Sequence, residues 1–172
     1  TDPWLVADPG ARALLDRDLD LGPEALAVHV YRLQRRLIKE RGEPRARPLL
    51  WALNYAQRML TQIEIYYSAE IGDRLTIVHG LGLVIGARTR IGDDVRLYQG
   101  VTLGNRSEAP EGRPVIEGGV TIYAGAVVVG GITIGAGSVI GANAVVRDSF
   151  PPASVIVGAP ARLAGRVDPD GP

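Results

Sequence analysis

The sequence has no cysteine, no net charge and only two histidines, and each shortage narrows what the protein can be. Without cysteine, neither disulfides nor thiolate metal sites are possible. Nineteen basic side chains balance nineteen acidic ones, so no overall positive field favours nucleic acid as a partner. No stretch approaches the roughly 20 apolar residues that span a bilayer, and the first residues show no export signal. We therefore expect a cytoplasmic protein with a small-molecule partner and no membrane contact.

Metal-dependent chemistry is equally poorly supported. Hydration chemistry at zinc usually needs three histidines, and only His79 is a candidate ligand, because His29 lies among arginines on a predicted helix and suits a surface or packing role. No phosphate-binding loop and no serine nucleophile elbow is present. We expect no metal.

A branched aliphatic residue returns every six positions through most of residues 65–146. This period fits neither an α-helix nor an ordinary strand, but it fits a parallel β-helix, in which three short strands form one triangular coil. The aliphatic residue of each strand should point into the core. These thirteen residues are Ile65, Ile71, Ile77, Ile85, Ile91, Leu97, Leu103, Ile116, Ile122, Val128, Ile134, Ile140 and Val146.

The period breaks twice, and the breaks predict where function lies. The step from Ile77 to Ile85 is eight residues and contains His79, while the step from Leu103 to Ile116 is thirteen and leaves an extended loop. Residues inserted into the repeat of a solenoid project from its surface and commonly carry its function.

The segment before the repeat predicts an α-helical cap over residues 1–62. Short helices are expected before Pro23, and an amphipathic helix follows, ending near Arg41. A second helix is predicted from Pro48 to Gln62. We expect its buried side to comprise Leu49, Leu50, Leu53, Ala56, Met59 and Leu60. The β-helix domain is predicted over residues 63–165 and a flexible tail over 166–172.

His79 is the residue best suited to chemistry. It is flanked by residues that leave access to it, and an imidazole is the usual group for taking a proton from a hydroxyl. A carboxylate that orients the imidazole would improve the base, and Glu64 is the candidate, although it could equally just begin the first strand. Ala124 and Ala142 lie eighteen residues apart and should stack on one face. They could line a ligand groove or simply suit tight corners.

Several motifs together resemble the hexapeptide-repeat acyltransferases, and among them the serine O-acetyltransferases. The resemblance covers nearly the whole chain and is most specific in the run that follows the His79 break. The motifs are Ile63-Glu64-Ile65, Ala69-Glu70-Ile71-Gly72, His79-Gly80, Val84-Ile85-Gly86, Tyr98-Gln99-Gly100-Val101-Thr102-Leu103-Gly104 and Val157-Gly158-Ala159-Pro160-Ala161-Arg162.

This resemblance implies a left-handed parallel β-helix with a short helical cap, assembled as a homotrimer with active sites between neighbouring solenoids. Whether two trimers pair is left open. It also implies acetyl-CoA as donor, His79 as general base and Glu64 as its carboxylate partner. The implied cofactor-binding residues are Gly104, Ala124, Ala142 and Arg162, and the implied acceptor-binding residues are Asp8, Val78 and Arg113.

The acceptor side departs from the family pattern. Val78 stands where the family has an aspartate before the catalytic histidine, and Arg113 stands in place of a second histidine before the proline of the loop. We therefore expect an acetyl-CoA-dependent O-acetyltransferase with an altered acceptor pocket, acting on serine or a related small acceptor. A sugar or specialised-metabolite acceptor and a non-catalytic trimeric scaffold are the alternatives.

Overall fold

A computed structural model describes residues 22–106 and 112–168. Two α-helices come first, α1 (Pro23–Arg41) and α2 (Glu43–Thr61). Gly42 joins them with a φ of 74°, a conformation that glycine adopts without steric cost. No helix among the described residues is long and apolar enough to cross a membrane.

Fifteen short strands follow the helices and form three sheets, one on each side of a triangular solenoid. Sheet A contains β1 (Glu64–Ile65), β4 (Val84–Ile85), β7 (Thr102–Gly104), β10 (Val127–Val129) and β13 (Val145–Val146). Sheet B contains β2 (Glu70–Ile71), β5 (Arg90–Ile91), β8 (Val115–Ile116) and β11 (Thr133–Ile134). Sheet C contains β3 (Thr76–Val78), β6 (Arg96–Tyr98), β9 (Thr121–Ile122), β12 (Val139–Ile140), β14 (Ser154–Val157) and β15 (Arg162–Arg166).

The strands follow one another through sheets A, B and C, so each set of three completes one coil. Strands β1 to β12 make four coils, and β13, a bridge at Phe150 and β14 make most of a fifth. Neighbouring coils pair in parallel, with Ile65 opposite Ile85 and Ile85 opposite Leu103. The predicted fold class, a parallel β-helix with a helical cap, is confirmed.

The thirteen predicted aliphatic positions all lie in strands and face the core. All are buried except Ile71 and Ile77, which are half-buried in the first coil and still pack against the core. Burial of these side chains supplies most of the driving force for stacking the coils.

The helices cover the open edge of the first coil. Gln57, which is 1% exposed, bridges α2 to both neighbours: its Nε2 donates to the carbonyl of Ala27 at 2.8 Å, and its Oε1 accepts from the N–H of Ile65 at 2.9 Å. The hydroxyl of Tyr31 donates to the carbonyl of Ala69 at 2.8 Å. Backbone groups that would otherwise form an exposed edge are therefore paired by side chains.

The predicted start of α2 was wrong, and its predicted buried face was only partly right. The helix begins at Glu43 and not at Pro48. Pro44 lies in its first turn, where an N–H has no intrahelical partner, and Pro48 lies inside the helix, where its missing N–H removes one i→i−4 hydrogen bond. Leu49, Met59 and Leu60 are 42%, 65% and 72% exposed, so this half of the predicted face lies on the surface. Leu50 is buried as predicted, Leu53 and Ala56 are half-buried, and the remaining buried side chains are Ala46, Gln57 and Thr61. Two of these are polar, and apolar periodicity could not identify them.

The C-terminal strand reverses direction at the last coil. Strand β15 pairs with β14 in antiparallel fashion and is exposed along its whole length. It covers the edge that β14 would otherwise present to a further coil or to another chain.

Replacing Gln57 by alanine should destabilise the protein by about 2 to 4 kcal/mol, because it leaves the Ile65 N–H unpaired in a buried position and opens a cavity. Denaturant unfolding monitored by circular dichroism measures this change. Arg45→Ala on the exposed side of the same helix is the control, and its effect should stay within about 0.5 kcal/mol. Equal stability of Gln57→Ala and the control would contradict the bridging role.

Candidate active site

His79 lies at the corner where sheet C leads into sheet A, which we call the C–A corner. Its turns are formed by residues 79–82, 99–100, 124–125 and 142–143, one above the other. Backbone hydrogen bonds join them, from Gly100 N to Leu81 O and from Gly125 N to Gln99 O, both at 2.9 Å. The two extra residues of the eight-residue step from Ile77 to Ile85 therefore lie at the C–A corner.

The turn that carries His79 is tightly held. His79 has a φ of 53°, which is uncommon for a residue with a side chain, and its carbonyl accepts a 2.7 Å hydrogen bond from Leu81 N. Gly80 is buried, and a Cβ added there would overlap the side chains of Ile63 and Ile77. The N–H of Gly80 donates to Oε1 of Glu24 at 3.0 Å.

The imidazole of His79 is exposed to solvent. Within the described residues, His79 makes no side-chain hydrogen bond or ion pair. Both ring nitrogens can therefore reach a substrate that enters at the C–A corner.

Glu64, the predicted carboxylate partner, lies on the neighbouring strand. Its N–H donates to the carbonyl of Leu83 at 2.9 Å, four residues after His79 along the chain. Its carboxylate lies 3.5 Å from Nε of Arg58 and lines a cavity of about 310 Å³ together with Trp51 and Tyr55. No hydrogen bond or ion pair joins Glu64 to His79 in the part of the chain that is described.

Ala124 and Ala142 stack at the same corner as His79, two and three coils further on. The carbonyl of Ala124 accepts a 2.9 Å hydrogen bond from Asn143 N. Ala124 is half-buried and Ala142 is exposed, so the small side chains leave the corner open to a ligand. The predicted stacking of these two residues is confirmed, whereas their role in binding stays a prediction.

An apolar strip on sheet C runs beside this corner. Val78 pairs with Tyr98, and the ring of Tyr98 packs against that of Tyr123 with centroids 4.9 Å apart. Tyr123 remains 41% exposed. The residue that replaces the family's aspartate therefore begins an apolar surface.

Gly104 and Arg113 lie at a different corner, where sheet A leads into sheet B, which we call the A–B corner. Gly104 ends β7 and its carbonyl accepts from Gly130 N at 3.1 Å. The extended loop starts there and returns at Arg113 and Pro114, whose carbonyl accepts from Arg90 N at 3.1 Å.

The Arg113 side chain is half-buried, and part of its guanidinium lacks a hydrogen bond. Its Nε and Nη1 are buried and make none within residues 22–106 and 112–168. Burial, together with the charge of nearby Arg88, lowers the pKa of Arg113. Two neighbouring cations, one of them with buried nitrogen atoms that lack hydrogen bonds, repel each other unless an anion lies between them, which makes this corner suited to a carboxylate or phosphate.

The two remaining predicted site residues are Arg162 and Asp8. Arg162 is exposed at the start of β15, and its Nη1 donates to the carbonyl of Ala161 at 2.8 Å. Asp8 lies outside the described residues. Among the residues described, no group of three or more histidine, aspartate or glutamate side chains could hold a metal ion.

Glu24 is the residue that sequence reasoning missed. Its position in the first turn of α1 is a common one for an acidic residue, so nothing local indicated a second role. Its partner Gly80 is 56 residues away, and only the packing of α1 on the first coil brings them together.

Comparison with known proteins agrees with this architecture. The family model described as bacterial transferase hexapeptide (six repeats) matches residues 113–148. The serine acetyltransferase of Helicobacter pylori (strain J99 / ATCC 700824) is 44% identical over 159 residues, which cover 92% of this chain and 90% of that protein.

Solved structures give the same result. The serine acetyltransferase of Vibrio cholerae O1 biovar El Tor N16961 has a TM-score of 0.80 and 30% identity, covering 96% of this chain and 70% of that one. The Brucella abortus strain S19 enzyme in complex with coenzyme A has a TM-score of 0.79 and 30% identity, covering 91% and 65%. Identity of 44% across nearly the full length of both proteins shows that the chain belongs to the serine acetyltransferase family of hexapeptide-repeat acyltransferases.

Proposed function

We propose that the protein transfers the acetyl group of acetyl-CoA to the hydroxyl of serine or a related small amino acid, with His79 as general base. The observation that carries the proposal is the position of His79. It lies exposed at a break in the repeat, at the corner where the small side chains of Ala124 and Ala142 stack. A relative with the same fold has been solved with coenzyme A, which supports acetyl-CoA as the donor.

In the proposed reaction, the imidazole of His79 first accepts and then donates a proton. His79 takes the proton of the acceptor hydroxyl as the oxygen attacks the thioester carbonyl, and a tetrahedral intermediate forms. Backbone N–H groups near Gly104 are suited to stabilise its oxyanion. Collapse of the intermediate breaks the carbon–sulfur bond, and the departing thiolate takes up the proton held by His79. Assistance of this kind accelerates a reaction by about 10²- to 10⁴-fold.

Glu64 stays the proposed orienting carboxylate for the imidazole. Its backbone already pairs with the segment that follows His79, and its contact with Arg58 is a partly exposed ion pair at 3.5 Å. Such pairs contribute about 0 to 1 kcal/mol, so little would be lost if the carboxylate turned from Arg58 toward the imidazole.

The acceptor pocket is proposed to combine Val78 and Arg113, with Asp8 as a further candidate. Val78 offers an apolar wall, and Nε and Nη1 of Arg113, which make no hydrogen bond among the described residues, offer donors to a carboxylate. This combination favours an acceptor with an acidic group and an uncharged side facing Val78.

We propose that the active site is completed by a second copy of the chain in a homotrimer. His79 and Arg113 lie at different corners of one solenoid, with sheet A between them. Residues from both corners can act on one substrate if the C–A corner of one chain faces the A–B corner of its neighbour. A cytoplasmic location stays a prediction from the sequence.

His79→Ala should lower kcat by about 10²- to 10⁴-fold with little change in the KM for acetyl-CoA, because it removes the base and leaves the donor groove intact. Serine-dependent release of CoA thiol measures this rate. His29→Ala, at an exposed position on α1, is the matched control and should keep full activity. A His79→Ala enzyme with unchanged kcat would refute the proposed mechanism.

Ala142→Trp should weaken acetyl-CoA binding by more than about tenfold, since an indole and a ligand cannot share the groove. Calorimetric titration with CoA measures the affinity. Ala136→Trp places the same side chain at another exposed turn, between sheets B and C, and should leave the affinity unchanged. Equal affinities in both variants would show that the stacked alanines serve only the turns.

Arg113→Ala should raise the KM for serine by roughly 10- to 100-fold while kcat falls much less, because a charged hydrogen bond to the acceptor is lost in both ground and transition states. Steady-state kinetics with serine and with amino alcohols that lack the carboxylate separate the two effects. Arg41→Ala, at the exposed end of α1, is the control. A KM that stays unchanged would contradict the role of Arg113 in acceptor binding.

A further inference from the structure

Glu24 is the carboxylate that the described structure actually connects to the His79 turn. It follows Pro23 in the first turn of α1, and its Oε1 accepts a 3.0 Å hydrogen bond from the N–H of Gly80. The bond is partly buried and joins residues 56 positions apart. Partial burial keeps water from replacing it readily.

The two hydrogen bonds at this turn act on one peptide group. The N–H of Gly80 belongs to the peptide bond whose carbonyl is that of His79, and this carbonyl accepts from Leu81 N at 2.7 Å. Because a peptide group is planar, holding its N–H and its carbonyl fixes its orientation. That orientation sets ψ of His79, while the φ of 53° already places the residue in a sparsely populated region.

The space around Gly80 leaves the turn few alternatives. A Cβ at this position would overlap Ile63 and Ile77, so the Gly80 Cα lies against the core while its N–H is held by Glu24. Loss of that acceptor would leave the N–H of this buried glycine without its hydrogen bond, and the peptide group between His79 and Gly80 would be held only through its carbonyl.

We infer that Glu24 is a positioning residue that fixes the direction of the His79 imidazole by holding the peptide group between His79 and Gly80. The inference rests on the proposed role of His79 as general base. Glu24 makes its contact through the backbone, and its effect on catalysis passes through the histidine. A shift of about 1 Å in a catalytic group can cost on the order of 100-fold in rate.

If Glu24 acted only by stabilising α1, its variants would differ in activity in another way. An acidic residue in the first turn of a helix also stabilises that helix through the helix dipole. Aspartate keeps the charge at this position but is one methylene shorter and cannot reach Gly80 N. Glutamine keeps the reach and the acceptor oxygen but loses the charge.

The experiment compares Glu24→Asp, Glu24→Ala and Glu24→Gln in the whole 172-residue chain. We expect kcat to fall roughly 10- to 100-fold in the aspartate and alanine variants and to stay within about threefold of the parent in the glutamine variant. The KM for acetyl-CoA should not change in any of them, since Ala124 and Ala142 belong to other coils. Glu40→Gln removes a carboxylate at the other end of α1 and is the control.

The thermal midpoint of each variant is measured alongside the kinetics, so that loss of folding is not read as loss of positioning. Glu24→Asp with full kcat would overturn the inference, and so would a glutamine variant as slow as the aspartate one. An inactive His79→Ala together with a fully active Glu24→Asp would overturn this inference alone. Full activity of His79→Ala would overturn the proposed function as well.

Discussion

The whole molecule depends on the inward column of aliphatic side chains and the parallel backbone pairing that it permits. Each coil buries its three aliphatic residues only if the next coil covers them, so the stack has two ends that must be closed. Side chains of α1 and α2, above all Gln57, close the first end, and β15 closes the last by reversing direction. With both ends closed, the corners of the prism are free to carry turns that differ from the repeat.

The proposed function depends on residues at those corners. Insertion of two residues near His79 creates an exposed imidazole where the regular wall would have only a tight turn. Insertion at the A–B corner produces the loop that ends at Arg113. The rigid coils hold the two insertions in fixed register, while the distance across sheet A keeps them apart within one chain. A neighbouring copy is the simplest means of bringing both to one substrate.

The sequence predicted the features that repeat or that depend on neighbouring residues. All thirteen positions that the aliphatic period predicted face the core, and the bounds of α1 followed from its proline and its final glycine. Prediction from the sequence failed where a polar side chain is buried. Gln57 in α2 is an example, because its burial depends on hydrogen-bond partners in α1 and β1. Glu24 escaped notice for the same reason, because its partner is distant in sequence.

We propose that the C–A corner of one chain and the A–B corner of another form one active site. Mixing His79→Ala with Arg113→Ala chains, unfolding them together and refolding them tests it directly, with CoA release measured at a serine concentration far below the KM of Arg113→Ala. Random assembly should restore about a quarter of the parent activity, because one site in four then combines two intact corners. No recovery above the activity of the separate variants would contradict the claim and place both residues in one chain's own site.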